Sequence, residues 1–264
     1  MEKLIVISSE DKEPISESNS DFVCVFSDSS LQQVSRILVR ECMVPNVFYN
    51  IRSESRYGRP NNRLVMYQGV NIGPFNIDMP QGQYNITEFM DELTIIINSN
   101  LLDGCQVAIN LVPQTNVLEF TFSGATTPIN NSAVFESEGK STMANVLGFK
   151  EEITTDSLYQ ITLPYSPDLS GINQVMIHCE QVSNGHGLDA GRKGTINLLE
   201  TVSMHDVEYG SWGYKKNDND MLSEIVYTEP QNLSRIRIVL RDNEGNKLDI
   251  GTKNMSVVLK AYLI

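Results

Sequence analysis

The amino-acid sequence predicts an all-β fold, a β-sandwich or jelly roll with one or two short helices in the connections between strands. Three observations carry this expectation. Apolar and polar residues alternate with period two over most of the chain, the pattern of half-buried strands. The runs are short and bounded by Gly, Pro and Asn turns, with no strand–helix–strand alternation that would signal a parallel sheet. Against this background stands one well-capped amphipathic helix.

The first strand signals follow an acidic lead. Residues 1–30 contain seven acidic and two basic residues and are rich in Ser, so they are expected to be a flexible arm, with Asp21 to Phe26 a candidate short strand. Residues 31–264 are expected to form the jelly-roll domain. Arg36 and Arg40 interleave with Ile37 and Val39, and Phe48–Ile51 and Leu64–Tyr67 are short apolar runs. Gly73-Pro74 reads as a break before a strand at Phe75–Met79, closed by Pro80-Gln-Gly82.

The helix is expected over Asn85–Asn98. Asn85 and Glu88 have the spacing of a capping box, and Tyr84 and Phe89 that of a hydrophobic staple. Phe89, Leu93, Ile96 and Ile97 share one face. A hairpin follows: Val107, Ile109 and Leu111, a turn at Pro113–Asn116, then Leu118, Phe120 and Phe122. A second helical phrase runs from Ser141, read as its cap, to Gly148, read as its stop. Further alternation appears around Ile161, Val175–Cys179, Leu198–Met204, Ser223–Tyr227, Ile236–Leu240 and Val257–Leu263. Residues 183–220, with many glycines, are expected to be a long loop region lying on an exposed or intersubunit surface.

Composition restricts function. The net charge of −13 repels nucleic acid, so direct nucleic-acid binding is not expected. No apolar run is long enough for a membrane span, and Leu4–Ile7 is too short for a signal peptide. Cys24, Cys42, Cys105 and Cys179 are far apart and lack zinc spacing, which fits folding in a reducing compartment.

No catalytic constellation emerges, so no enzyme, cofactor or metal is expected. His178, His186 and His205 read as solvent-exposed. The Gly185–Gly194 stretch fails both the G-x-G-x-x-G and the P-loop pattern. Asp218-Asn-Asp220 and Asp242-Asn-Glu244 read as turns.

Two groups of residues suggest binding surfaces instead. Residues 31–63 carry six Arg against two acids, and Arg52, Arg56, Arg59 and Arg63 form a candidate interface for acidic segments of neighbouring subunits. Tyr209, Trp212 and Tyr214 form a candidate exposed binding loop containing the sole Trp.

Several motifs, taken in order, resemble a known family. They are NIGPFNIDMPQGQYNITEFMDELTIIIN, the hairpin, ANVLGF, Asp168-Leu-Ser-Gly171 before a strand, and the closing LRDNEGNKLDIGTKNMSVVLKAYLI. Over about residues 64–264 the chain resembles the minor capsid (penton) proteins of virophages, Maverick/Polinton-type and related double-jelly-roll DNA viruses. The resemblance implies a single jelly-roll β-sandwich and a structural virion protein, a homopentamer at the fivefold vertices of an icosahedral capsid. It implies, as partners, further copies of itself, the double-jelly-roll major capsid protein and a vertex fibre or cement protein. The alternative reading is a lectin-like receptor-binding spike that uses the Tyr209–Tyr214 aromatics.

Overall fold

The computed structural model describes residues 1–26, 31–54, 59–69, 72–179, 181–182, 187–188, 195–217 and 224–264. In chain order the elements begin with β1 (Glu2–Ser8), β2 (Asp21–Val25), β3 (Val34–Pro45), β4 (Arg63–Gln68), β5 (Ile72–Asp78), α1 (Ile86–Asn100) and β6 (Gln106–Leu111). They continue with β7 (Leu118–Ser123), β8 (Ala133–Phe135), α2 (Ala144–Leu147), β9 (Ile153–Thr154), β10 (Gln160–Thr162), β11 (Gln174–His178), β12 (Gly187–Leu188) and β13 (Thr195–Ile196). The last are β14 (Leu198–Ser203), β15 (Trp212–Lys216), β16 (Glu224–Gln231), β17 (Arg235–Arg241) and β18 (Ser256–Leu263). They fall into two compact units. One, here the split unit, joins Met1–Phe48 to Ile172–Ile264; the other, the central unit, comprises Tyr49–Ser55 and Arg59–Gly171.

The split unit is a jelly roll. One antiparallel sheet has the order β1-β18-β3-β15, with β16 continuing the β15 side of β3; the other has the order β14-β11-β17-β2. Following the chain, β1, β3, β15/β16 and β18 go to the first sheet, and β2, β11, β14 and β17 to the second. This exchange between two sheets is the jelly-roll topology. Alternation explains the packing: Ile5 and Ile7, Val257, Leu259 and Ala261, and Ile236, Ile238 and Leu240 all turn inward to one buried cluster. The jelly roll of the split unit takes in β1 and β2, both of which precede residue 31.

In place of the expected flexible arm, β1 pairs with β18 and β2 with β17. The acidic residues of this segment are matched by distant cations. Asp21 is held by Arg237 (Nε to Oδ1 2.8 Å, Nη2 to Oδ2 2.9 Å) and by Lys247 (Nζ to Oδ2 2.6 Å). Glu17 takes a second bond from Lys247 at 3.0 Å. Burial raises the Asp21 pKa, but the bonds from Arg237 and Lys247 outweigh it, and the carboxyl lies below its ordinary range.

The central unit holds a sheet of order β5-β4-β8-β9, a sheet of order β10-β7-β6, and α1. The helix is built as its sequence demands. Asn85 Oδ1 accepts from the Glu88 amide and Glu88 Oε2 from the Asn85 amide, both at 3.0 Å, completing the capping box. Tyr84 meets Phe89 edge to face with ring centroids 6.5 Å apart. Phe89, Leu93 and Ile97 are buried. Asn98 then sets the start of β6, donating to the Val107 carbonyl at 3.2 Å and accepting its amide at 2.7 Å.

The hairpin of β6 and β7 forms as expected, and Phe120 packs edge to face on Phe135 with centroids 4.9 Å apart. Gly148 ends α2 in the left-handed region (φ 91°), and a Cβ there would lie 2.2 Å from the Tyr165 carbonyl oxygen. Ser141, read as a cap, instead accepts the Val65 amide through Oγ at 3.0 Å; Met143 occupies the cap position. Gly73-Pro74 does not break the chain. It lies inside β5, an edge strand, where a missing N–H leaves no ladder bond unmade.

Candidate interaction surfaces

The Tyr209–Tyr214 segment is not one loop. Trp212 and Tyr214 belong to β15, and only Tyr209 precedes the strand. β15 pairs with β3, with Trp212 opposite Pro45 and Tyr214 opposite Met43. Gly213 between them faces inward, where a Cβ would stand 2.7 Å from Met204 Sδ and 3.1 Å from Val202 Cγ1. Glycine lets the strand approach its core closely and turns both neighbours outward. Trp212 is 45% and Tyr214 53% exposed, and Tyr209 is 44% exposed. Met43, also exposed, continues the apolar surface onto β3.

The same outward face continues to β1 with Leu4 and Val6, two exposed residues that sequence reasoning did not select. A signal was present: Leu4-Ile5-Val6-Ile7 is apolar on both faces of a strand, although only Ile5 and Ile7 enter the core. Toward the other end, this face is charged. Arg36 pairs with Glu224 at 2.8 Å and lies 3.9 Å from the centroid of the Tyr262 ring, and Lys260 pairs with Glu2 at 3.0 Å.

The described arginines of residues 31–63 are divided between the two units. Arg36 and Arg40 sit on β3 of the split unit, whereas Arg52, Arg59 and Arg63 belong to the central unit. Arg52 is buried; its Nε donates to the Arg59 carbonyl at 3.3 Å and its Nη1 to the Tyr49 carbonyl at 3.5 Å. It closes its own segment of chain. Arg63 forms a two-pronged pair with Asp78, its partner across β4 and β5, at 2.7 and 3.1 Å. Arg59 is exposed, and Arg56 lies outside the described residues.

Among groups able to do chemistry, His178 departs from expectation. It is not solvent-exposed: its Nε2 is buried without a hydrogen-bond partner. Burial, then the nearby Arg241 charge, push its pKa down to about 4, so the ring is neutral. His205 is exposed and lies 2.7 Å from Asp206. His186, most of Gly185–Gly194, and Asp218-Asn-Asp220 lie outside the described residues. Asp242 is a turn residue as read, its Oδ1 accepting the amides of Glu244 and Asn246 at 2.9 and 2.8 Å. The four cysteines are free and buried, and burial drives the Cys42 thiol up to about 12, which leaves it unreactive. No helix among the described residues is long and apolar enough to cross a membrane.

No family profile and no curated protein matches the chain. Solved structures are more informative. The mavirus penton protein aligns over 100% of this chain and 100% of its own, with a TM-score of 0.50 at 10% identity. This chain has the fold of a penton protein. The penton fold extends over both units, since the alignment leaves neither out. At 10% identity the likeness is one of fold alone, and no residue role passes across it. The D1-D2-D3 domains of the Escherichia coli flagellar cap protein FliD cover 97% of this chain and 57% of theirs at 11% identity. Their TM-score is 0.17, too low to carry an argument.

Proposed function

We propose that this chain is a structural capsid protein, the penton subunit that closes the fivefold vertices of an icosahedral shell as a homopentamer. The observation that carries the reading is the end-to-end fold match with the mavirus penton protein, inserted unit included. The surfaces agree with it. The exposed large apolar side chains include Leu4, Val6, Trp212 and Tyr214 on one sheet face, an arrangement suited to protein contacts. The surrounding partner would be a double-jelly-roll major capsid protein, and a fibre or cement protein would sit at the same vertex. A ring of five requires heterologous contacts, two different patches meeting around the axis.

The test is omission. Shells assembled from the major capsid protein alone are expected to have open fivefold vertices, and adding this chain is expected to close them. Vertices that close without it would defeat the reading. The second reading, a glycan-binding spike, rests on the exposed pair Trp212 and Tyr214. It requires glycan-array binding that Trp212→Ala abolishes.

A further inference from the structure

The two sheets of the split unit have four outer edges, and three are protected. Along β2, the Glu13 amide donates to the Val23 carbonyl at 2.8 Å and Ser16 Oγ accepts the Val23 amide at 3.0 Å, so the preceding chain covers the edge. The β15/β16 edge carries Lys215, Lys216 and Pro230, residues that discourage strand pairing. From β14, Glu200 is tied to Lys215 at 2.6 Å and to Asn217 at 2.7 Å, which bridges that edge to the neighbouring strand.

Over Glu2–Ile7, β1 has no such cover among the described residues; only at its end does the Ser8 carbonyl accept the Cys24 thiol, at 3.5 Å. The hydrogen-bond phase of the strand is known from both ends: the Met1 carbonyl accepts the Leu263 amide at 2.8 Å, and the Ser9 amide donates to the Met255 carbonyl at 3.1 Å. The register between them runs Lys3 with Ala261, Ile5 with Leu259 and Ile7 with Val257. In an antiparallel pair the bonding residues alternate. The odd-numbered residues therefore face β18, and Glu2, Leu4 and Val6 turn their N–H and C=O groups to the open edge. The side chains of the same residues stand on the solvent face, Leu4 68% and Val6 61% exposed. Charged side chains stand only at the start of the strand, on Glu2 and Lys3.

We propose that β1 is a strand-addition site for an extended segment of a partner protein. The open ladder dictates an extended backbone, and Leu4 and Val6 dictate apolar residues at alternate positions. The chain beyond β1 carries the exposed carboxylates of Glu10 and Asp11 and the half-buried Glu13, against one cation, Lys12, which donates to Asn19 Oδ1. The segment is therefore basic where it passes them. This charge argues against a second copy as the occupant, because the chain carries −13 overall. The inference stands on the sheet edge alone and holds whether or not the chain closes capsid vertices.

The experiment uses the full chain and a labelled ten-residue synthetic peptide of alternating Val and Thr ending in Lys-Arg, followed by fluorescence polarisation. Binding is expected, with at least tenfold weaker affinity for the same peptide ending in Glu-Asp. Leu4→Pro removes an outward N–H and the exposed Leu4 side chain but no bond to β18, and is expected to weaken binding at least tenfold while the chain still unfolds cooperatively. Val6→Lys, which guards the edge without touching the backbone, is expected to do the same and covers the case in which the proline variant fails to fold. Binding that neither folded variant weakens overturns the proposal. So does preference for the acidic peptide, or a wild-type dimer in sedimentation that Val6→Lys dissociates, since the occupant would then be a second copy.

Discussion

The central unit is drawn almost wholly from one stretch of chain, whereas the split unit joins two stretches separated by that insertion. The central unit is stabilised by close-range devices: a capping box spanning three residues, a hairpin, a left-handed glycine. The split unit depends on partners more than two hundred residues apart, such as Asp21 with Arg237 and Lys247, and β1 with β18. The contrast teaches that a jelly roll can receive a whole second unit between its third and fourth strands without losing its own topology. Its ladder is specified by strands, not by the length of the connections between them.

If the two units are separate cooperative bodies, each can be damaged alone. The largest effect is expected at Gly148→Ala, where a side chain meets the Tyr165 carbonyl in a left-handed backbone position. A loss of about 4 kcal/mol is expected in the central unit. Trp212, the sole tryptophan, lies in the split unit, so its fluorescence reports that unit while circular dichroism reports both. Urea unfolding of the variant is expected to show an early dichroism transition with the Trp212 midpoint unmoved. A joint shift of both signals would show that the units unfold as one.

Asp21→Ala is the complementary break, leaving Arg237 and Lys247 without their shared anion. It is expected to lower the Trp212 midpoint by the equivalent of about 3 kcal/mol. Its pH signature has a definite sign. The folded pKa lies below the ordinary 3.8, so the stabilisation is present above that value and is lost as pH falls through the lower folded one. Asp21→Asn is expected to flatten this acid limb.

His178 gives a smaller effect at milder pH. Its folded pKa of about 4 lies below the ordinary 6.5, so stability is complete above 6.5 and declines as pH falls from there toward 4. The partial exposure of the residue reduces the size, leaving about 1.5 kcal/mol between pH 7 and pH 5. His178→Gln is expected to remove that slope; a slope unchanged by the substitution would place the titrating group elsewhere. The smallest effect is Asn85→Ala, expected to remove about 1 kcal/mol from the central unit by calorimetry. No change there would mean that α1 is held by packing alone.

Legibility in the sequence was greatest where the signals are local. Asn85, Glu88, Tyr84 and Phe89 lie within one helical turn of each other, so their pattern is readable without knowing the fold. The β6–β7 hairpin was equally local. β2 was legible as the candidate strand at Asp21 to Phe26, but β1 was hidden because its acidic, serine-rich setting resembles disorder, and the cations that answer that setting come at the far end of the chain. β15 was hidden because Gly213 looks like a loop residue; its role is visible only when Met204 is seen packed against it. The candidate surfaces were less legible. The aromatics were read as one loop because of their flanking glycines, whereas Trp212 and Tyr214 stand on β15. The fate of Arg52 was not legible, because a charge count does not reveal which guanidinium is buried on the carbonyls of Tyr49 and Arg59.

The central claim is tested most directly by electron cryomicroscopy of particles containing this chain, with the density at the vertices resolved without imposed symmetry. Five copies of the two-unit fold around each fivefold axis are the expected result. Vertices built from another protein, or this chain found only in projections that are not fivefold, would contradict the account.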